Sequence, residues 1–217
     1  VWGAETAQCV SADTTSTRFT VSHSEHNNPS TSVAAYPSLF KGCHWGNCST
    51  ASGMPVAVSS VSSAPFSWSV SGMNASGIWN ATAEAWFSPI TDSTDGYSGG
   101  GELMIWLDYQ GMQPAGSQVG TVSIAGATWE VWYAQMDWNY VAYRRVGATT
   151  SIDADLMDFV DDATSRGYLQ TGWYLHAFEA GFELIVDGET GFLVDNVDSM
   201  VEAVEKAESI EPVRCRQ

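Results

Sequence analysis

Positive charge is scarce in this chain: eight Lys and Arg stand against 25 Asp and Glu over 217 residues, a formal net charge of −17. Such a surface repels phosphate backbones and anionic headgroups, which excludes nucleic acid and membrane surfaces as partners. A neutral polymer meets no such repulsion. No run of ~18 apolar residues occurs, so no segment reads as a membrane-spanning helix. The chain opens on Val without a visible secretory leader, as expected of a processed form. Cysteine is limited to Cys9, Cys43, Cys48 and Cys215. Cys43 and Cys48 bracket His-Trp-Gly-Asn, a spacing that closes a small disulfide loop or supplies two metal thiolates. No second Cys pair or suitable His pair completes a tetrahedral set, so a disulfide and no metal are expected. His23-Ser-Glu-His26, the one close His pair, reads as part of a polar loop. A disulfide implies an oxidising compartment, and therefore a secreted, extracellular protein. Asn47-Cys-Ser, Asn74-Ala-Ser and Asn80-Ala-Thr match the glycosylation acceptor pattern, which carries no meaning in a bacterial chain.

Aromatic residues, by contrast, are abundant, with ten Trp among them. Residues 1 to 150 alternate short β-like runs with turn clusters: Phe19-Thr-Val-Ser, Phe66-Ser-Trp-Ser-Val, Ile78 to Phe87, Thr121-Val-Ser-Ile, Trp129 to Tyr133 and Tyr140 to Arg144. Many short strands with punctuating turns predict an all-β sandwich or jelly roll. The runs at 129–133 and 140–144 read as a hairpin across Asp137-Trp-Asn139. Residues 151–166 break the pattern with helical periodicity: Ile152, Leu156, Phe159, Val160 and Ala163 form a stripe, Ser151 is the expected cap and Gly167 the expected terminator. The Asp residues of this segment read as a solvated face favoured by the helix dipole. After residue 184 the composition changes. A hairpin-like stretch runs to Val194, and a second amphipathic helix is expected near 199–210.

Strand periodicity also groups the acids. In Glu102-Leu-Met-Ile-Trp-Leu107, Leu103, Ile105 and Leu107 share one face, and Glu102, Met104 and Trp106 the other. Glu84 and Trp86 share a face of their run, Glu130 and Trp132 of another, and Glu179, Gly181 and Glu183 of a third. A sheet built from these strands has a core face and a face lined with Trp, Glu and Met. A carboxylate beside flat aromatic surface suits glycan cleavage: a charge to stabilise an oxocarbenium ion and a platform for sugar rings.

The ordered motifs Val1-Trp-Gly-Ala-Glu-Thr-Ala-Gln-Cys9, Val33-Ala-Ala-Tyr-Pro37, Gly42-Cys-His-Trp-Gly46, Trp86-Phe-Ser-Pro89, Gly96-Tyr-Ser-Gly-Gly100, Glu102 to Leu107, Ala127 to Tyr133, Asp137 to Arg145 and Gly181-Phe-Glu-Leu184 resemble bacterial glycoside hydrolase family 12, secreted endo-β-1,4-glucanases with a β-jelly-roll fold. The resemblance spans residues 1–184. It implies two antiparallel sheets with a concave substrate cleft, Glu102 as nucleophile and Glu183 as general acid/base. The family is retaining, which implies carboxyl groups ~5–5.5 Å apart. Glu183 is then expected to have the higher pKa, raised by apolar surroundings and the Glu102 charge. The resemblance further places Trp2 as a stacking platform, Met104 under the reactive sugar, His44 and Trp45 on the glycone side, and Asn139 and Tyr140 along the groove; Trp106 and Trp132 join the substrate-binding set through their faces. Glu84 stands where the family usually has a hydrogen-bonded Asp, as a supporting carboxylate.

Two departures follow. The resemblance implies a partner for Cys9 in a strand before Trp2 that is not in this sequence; a Cys9–Cys215 bridge is one option, and the pairing of these two cysteines stays open. The tail 185–217 resembles a short fragment of two-Rossmann-domain retaining glycosyltransferases, too short for a transferase domain and lacking a nucleotide-binding βαβ unit. It reads as a fusion, with Phe192-Leu-Val194 as a candidate substitute for the last strand. The expected activity is retaining hydrolysis of internal β-1,4 bonds in cellulose or β-glucan, by a monomer without cofactor. The alternatives are a xyloglucan-preferring endoglucanase and a weakly active or non-catalytic glucan-binding jelly roll.

Overall fold

The computed structural model describes residues 7–13, 18–28, 32–71, 77–92, 94, 96–187 and 192–194. Within them the chain forms β1 (Gln8–Ala12), β2 (Phe19–Ser24), β3 (Ser38–His44), β4 (Asn47–Cys48), β5 (Val56–Ala57), β6 (Pro65–Ser71), β7 (Gly77–Ser88), β8 (Gly101–Gln110), β9 (Ser117–Ile124), β10 (Ala127–Gln135), β11 (Asn139–Arg145), β12 (Ser151–Asp155), α1 (Leu156–Ser165), β13 (Tyr174–Asp187) and β14 (Phe192–Val194). The strands make two sheets. The smaller runs β1-β2-β14-β6-β12 and the larger β4-β3-β13-β7-β8-β11-β10-β9, with β5 on the end of β13. This is the expected jelly-roll sandwich.

Alternation decides which side chains meet between the sheets. Leu103, Ile105 and Leu107 of β8 are fully buried with Ala83, Ala85 and Phe87 of β7, Val141 and Tyr143 of β11, and Phe182 and Leu184 of β13. The smaller sheet answers with Phe19, Val21, Phe66, Trp68 and Val70. Phe66 meets Phe178 edge to face, with ring centroids 5.0 Å apart. The expected hairpin is present, β10 pairing β11 from Trp129↔Arg145 to Gln135↔Asn139.

The helix starts later than its periodicity suggests. Residues 151–155 pair with β6, Ser151 opposite Ser69 and Asp155 opposite Pro65. Ile152 and Ala154 also fit a strand with one face covered, and the pairing with β6 satisfies their backbone, so the helix begins at Leu156. Asp155, not Ser151, is the cap: its carboxylate accepts the Met157 N–H at 2.8 Å. Gly167 adopts φ 81° after the last turn, the terminator role expected of it. Past residue 184, β13 continues to Asp187 and β14 pairs with both β2 and β6. The expected helix at 199–210, Trp2 and Cys215 lie outside the described residues.

Candidate active site

The outward face of the larger sheet is concave and holds a trough of about 670 Å3. Register builds it in rows. Phe40, Glu179, Glu84, Met104, Ala142 and Trp132 are aligned across β3, β13, β7, β8, β11 and β10; Trp86, Glu102 and Tyr140 lie in the next row. Glu183 pairs with Asn80, further along β7. The strands bearing Glu102 and Glu183 are therefore not neighbours: β7 lies between them. Both carboxyls line the same trough, close enough that the charge on Glu183 acts on Glu102.

Each acid is held by a nitrogen donor. The Trp138 indole N–H donates to Glu102 Oε2 at 2.6 Å. The Asn80 amide donates to Glu183 Oε2, and the Glu183 N–H donates back to Asn80 Oδ1 at 3.2 Å. Burial, then the Glu183 charge, push Glu102 up to about 8 against the pull of Trp138. Burial pushes Glu183 up to about 7 against the pull of Asn80. Glu84, 4% exposed, is held well above the ordinary carboxylate range by burial and by the charges of Glu102, Glu179 and Glu183. The expectation that Glu183 has the higher pKa is thus not met: both acids rise, Glu102 further, because it also feels the charge on Glu183.

The wall at the β3–β4 end is aromatic and fixed. Cys43 and Cys48 are disulfide-bonded across a two-residue turn in which Trp45 takes φ 47° and Gly46 φ 79°. Positive φ at both positions is the hairpin geometry that matches strand twist, and a Trp seldom adopts it. The Trp45 ring packs over Gly96, where a Cβ would come within 2.5 Å of it. It meets Trp86, Tyr97 and Trp138 at centroid distances of 5.7, 5.5 and 6.2 Å. His44 Nδ1 lies 2.6 Å from Glu179 Oε1, and Ser38 Oγ donates to the other Glu179 oxygen at 2.7 Å.

Of the residues expected from the sequence, Glu84, Glu102, Glu183, His44, Trp45, Trp106 and Tyr140 line the trough. Three do not. Met104 faces the right side but is 1% exposed, under the floor, where its sulfur takes the Trp106 indole N–H. Trp132 packs behind the far wall, its indole N–H on Glu130 and its face under the Arg144 guanidinium. Asn139 has the parity of Val141, so its amide turns away from the trough and donates to the Tyr168 carbonyl at 2.9 Å. Sequence reasoning did not single out Trp86, Trp138, Asn80, Glu179 or Tyr36. Trp86 and Glu179 were visible as members of acid-and-aromatic faces. Trp138 sits in a turn, and Asn80 reads from sequence only as a glycosylation acceptor, a role its complete burial excludes.

Two carboxyls in one trough under an aromatic wall, on a jelly-roll sheet, are the arrangement that hydrolysis of a glycan laid across the strands needs. The chain belongs to glycosyl hydrolase family 12, whose family model matches residues 1–202. Among solved structures it is similar to the endoglucanase Cel12A from Rhodothermus marinus, at 51% identity and a TM-score of 0.86, covering 90% of this chain and 86% of that one. Among curated proteins it is 32% identical over 152 residues to a probable cellulase, Cel12b, of Mycobacterium tuberculosis, covering 68% of this chain and 97% of that one. It is 29% identical over 161 residues to Endoglucanase S of Pectobacterium parmentieri, 70% of this chain but 61% of that protein's length.

Proposed function

We propose that the chain is a retaining endo-β-1,4-glucanase, with Glu102 as nucleophile and Glu183 as general acid/base. The observation that carries this is that Glu102 and Glu183 line one trough, each carboxyl held by its own nitrogen donor, Trp138 and Asn80. Double displacement requires the proton on Glu183 and the charge on Glu102 when glucan is bound. Glu102 attacks the anomeric carbon, the glycosidic C–O bond breaks, and Glu183 gives its proton to the departing oxygen. Glu183, now charged, takes a proton from water, whose oxygen displaces Glu102 from the anomeric carbon. Trp138 holds the Glu102 oxygen in place and stabilises its charge before attack.

Trp45, Trp86 and Trp138 give sugar rings apolar faces to lie against, and the open trough admits the middle of a chain as readily as its end. The substrate is cellulose or β-glucan and the protein acts as a monomer. Secretion is supported by the Cys43–Cys48 disulfide, which belongs to an oxidising compartment. β14 serves as the substitute last strand of the sandwich, between β2 and β6.

Reducing-sugar release from carboxymethylcellulose, barley β-glucan and xyloglucan tests the reading. The first two are expected to be cut, and Glu102→Gln to abolish cutting. Faster cutting of xyloglucan reassigns the polymer; binding without release identifies a glucan-binding jelly roll instead.

A further inference from the structure

The trough ends short of one aromatic ring that shares its face. Phe40, on β3, stands in register with Glu179 and Glu84, so period two turns its ring to the concave side. It is 38% exposed, beside Trp45 at 40%, and these are two of the large apolar side chains in the described residues that remain open to solvent. Its ring lies 6.0 Å from His44, which lies 6.3 Å from Trp86 and 6.4 Å from Trp45. The four rings form a continuous aromatic path from the wall beside Glu102 to the sheet edge. Glu179, whose other oxygen accepts from Ser38, holds the His44 ring in the path.

A single exposed Phe is ordinary on a protein surface. This one lies on the glycan-facing side, at the end of a line of rings, and nothing in the core requires it there. We propose that Phe40 is the stacking platform of a distal glycone subsite, which takes a β-linked glucose ring at the far end of a long chain. The inference rests on the endoglucanase reading and extends it to substrate length. β3 is three strand steps from β8, across β13 and β7. At about 4.8 Å per step that is roughly 14 Å from the nucleophile strand, close to three glucose residues. Only chains with at least three or four rings on the glycone side reach Phe40. Shorter ones react without it.

The experiment compares kcat/KM on cellotriose through cellohexaose for the wild type, Phe40→Ala and Phe40→Trp. An aromatic contact of this kind is worth about a three- to tenfold change in kcat/KM. Phe40→Ala is expected to lose that factor on cellopentaose and cellohexaose and nothing on cellotriose, and Phe40→Trp to keep or raise the long-chain rate. Equal loss at every length, or no loss at any, overturns the subsite while leaving the hydrolase reading intact. A wild type that cuts none of these oligomers removes the reading beneath it instead.

Discussion

At the residue scale the account turns on where one proton can sit. Glu102 and Glu183 are raised to about 8 and about 7, so the one-proton state is bounded by those values. Below about 7 both carboxyls are protonated and the nucleophile is lost; above about 8 both are charged and the acid is lost. The kcat/KM profile is therefore expected to be bell-shaped with its maximum between these limits. Removing the donor from Glu102 disfavours its charged form, so Trp138→Phe moves the limb that Glu102 sets, the one at about 8, to higher pH. It also lowers kcat by about ten- to a hundredfold, the worth of a hydrogen bond to a charged group. An unmoved limb in pH-rate profiles contradicts this role of Trp138. Burial disfavours the charged form of Glu84, and Glu84→Gln replaces the acid by a neutral amide of the same shape. Most of the wild-type kcat is expected to remain, and a large loss shows that Glu84 acts as a charge.

At the element scale the β3–β4 hairpin and the β12–α1 junction each do a separable job. The disulfide closes only the short loop from Cys43 to Cys48, so its removal costs little global stability but frees the turn that holds His44 and Trp45. Cys43→Ser/Cys48→Ser is expected to raise KM for long glucans with kcat nearly unchanged. At the junction, Asp155→Ala removes the helix cap and the acceptor of Ser63 and Ala64. A cost of about 1 kcal/mol lowers Tm by roughly 2–4 °C. A kcat that falls with Tm in the cap variant, or a KM that stays fixed without the disulfide, contradicts the division. Elements were legible where one periodicity dominated: β8 and the β10–β11 hairpin fall where alternation puts them. β12 was not legible as a strand, because Ile152 fits the helical stripe with Leu156 as well as strand alternation with Ala154, and only the partner strand β6 decides. The same holds for the site. Period two placed Glu102, Trp106 and Glu183 on the concave face. It does not give depth, which separates buried Met104 from exposed Trp45, nor the path of a turn, which brings Trp138 to Glu102.

At the scale of the whole molecule, function and stability pull against each other. Glu84, Glu102 and Glu183 have folded pKa values above the 4.5 of a free carboxyl. Between about 4.5 and about 8 the folded state binds more protons than the unfolded one, so stability falls as pH rises through that window. The net charge of −17 acts in the same direction. Thermal melts are expected to give a higher Tm at pH 5.5 than at pH 8. Glu102→Gln, which takes one such acid out of the trough, is expected to raise Tm at pH 8 while activity disappears. A Tm that climbs from pH 5.5 to 8 contradicts the burial of these acids as charges.

The central claim is that Glu102 becomes covalently bonded to sugar. An activated 2-deoxy-2-fluoro cellobioside slows release of the glycosyl-enzyme enough for proteolysis and mass spectrometry. One 2-deoxy-2-fluoro-cellobiosyl adduct is expected, on the peptide that contains Glu102 and at that residue. No adduct under conditions where the substrate turns over, or an adduct on Glu84, Glu179 or Glu183, contradicts it.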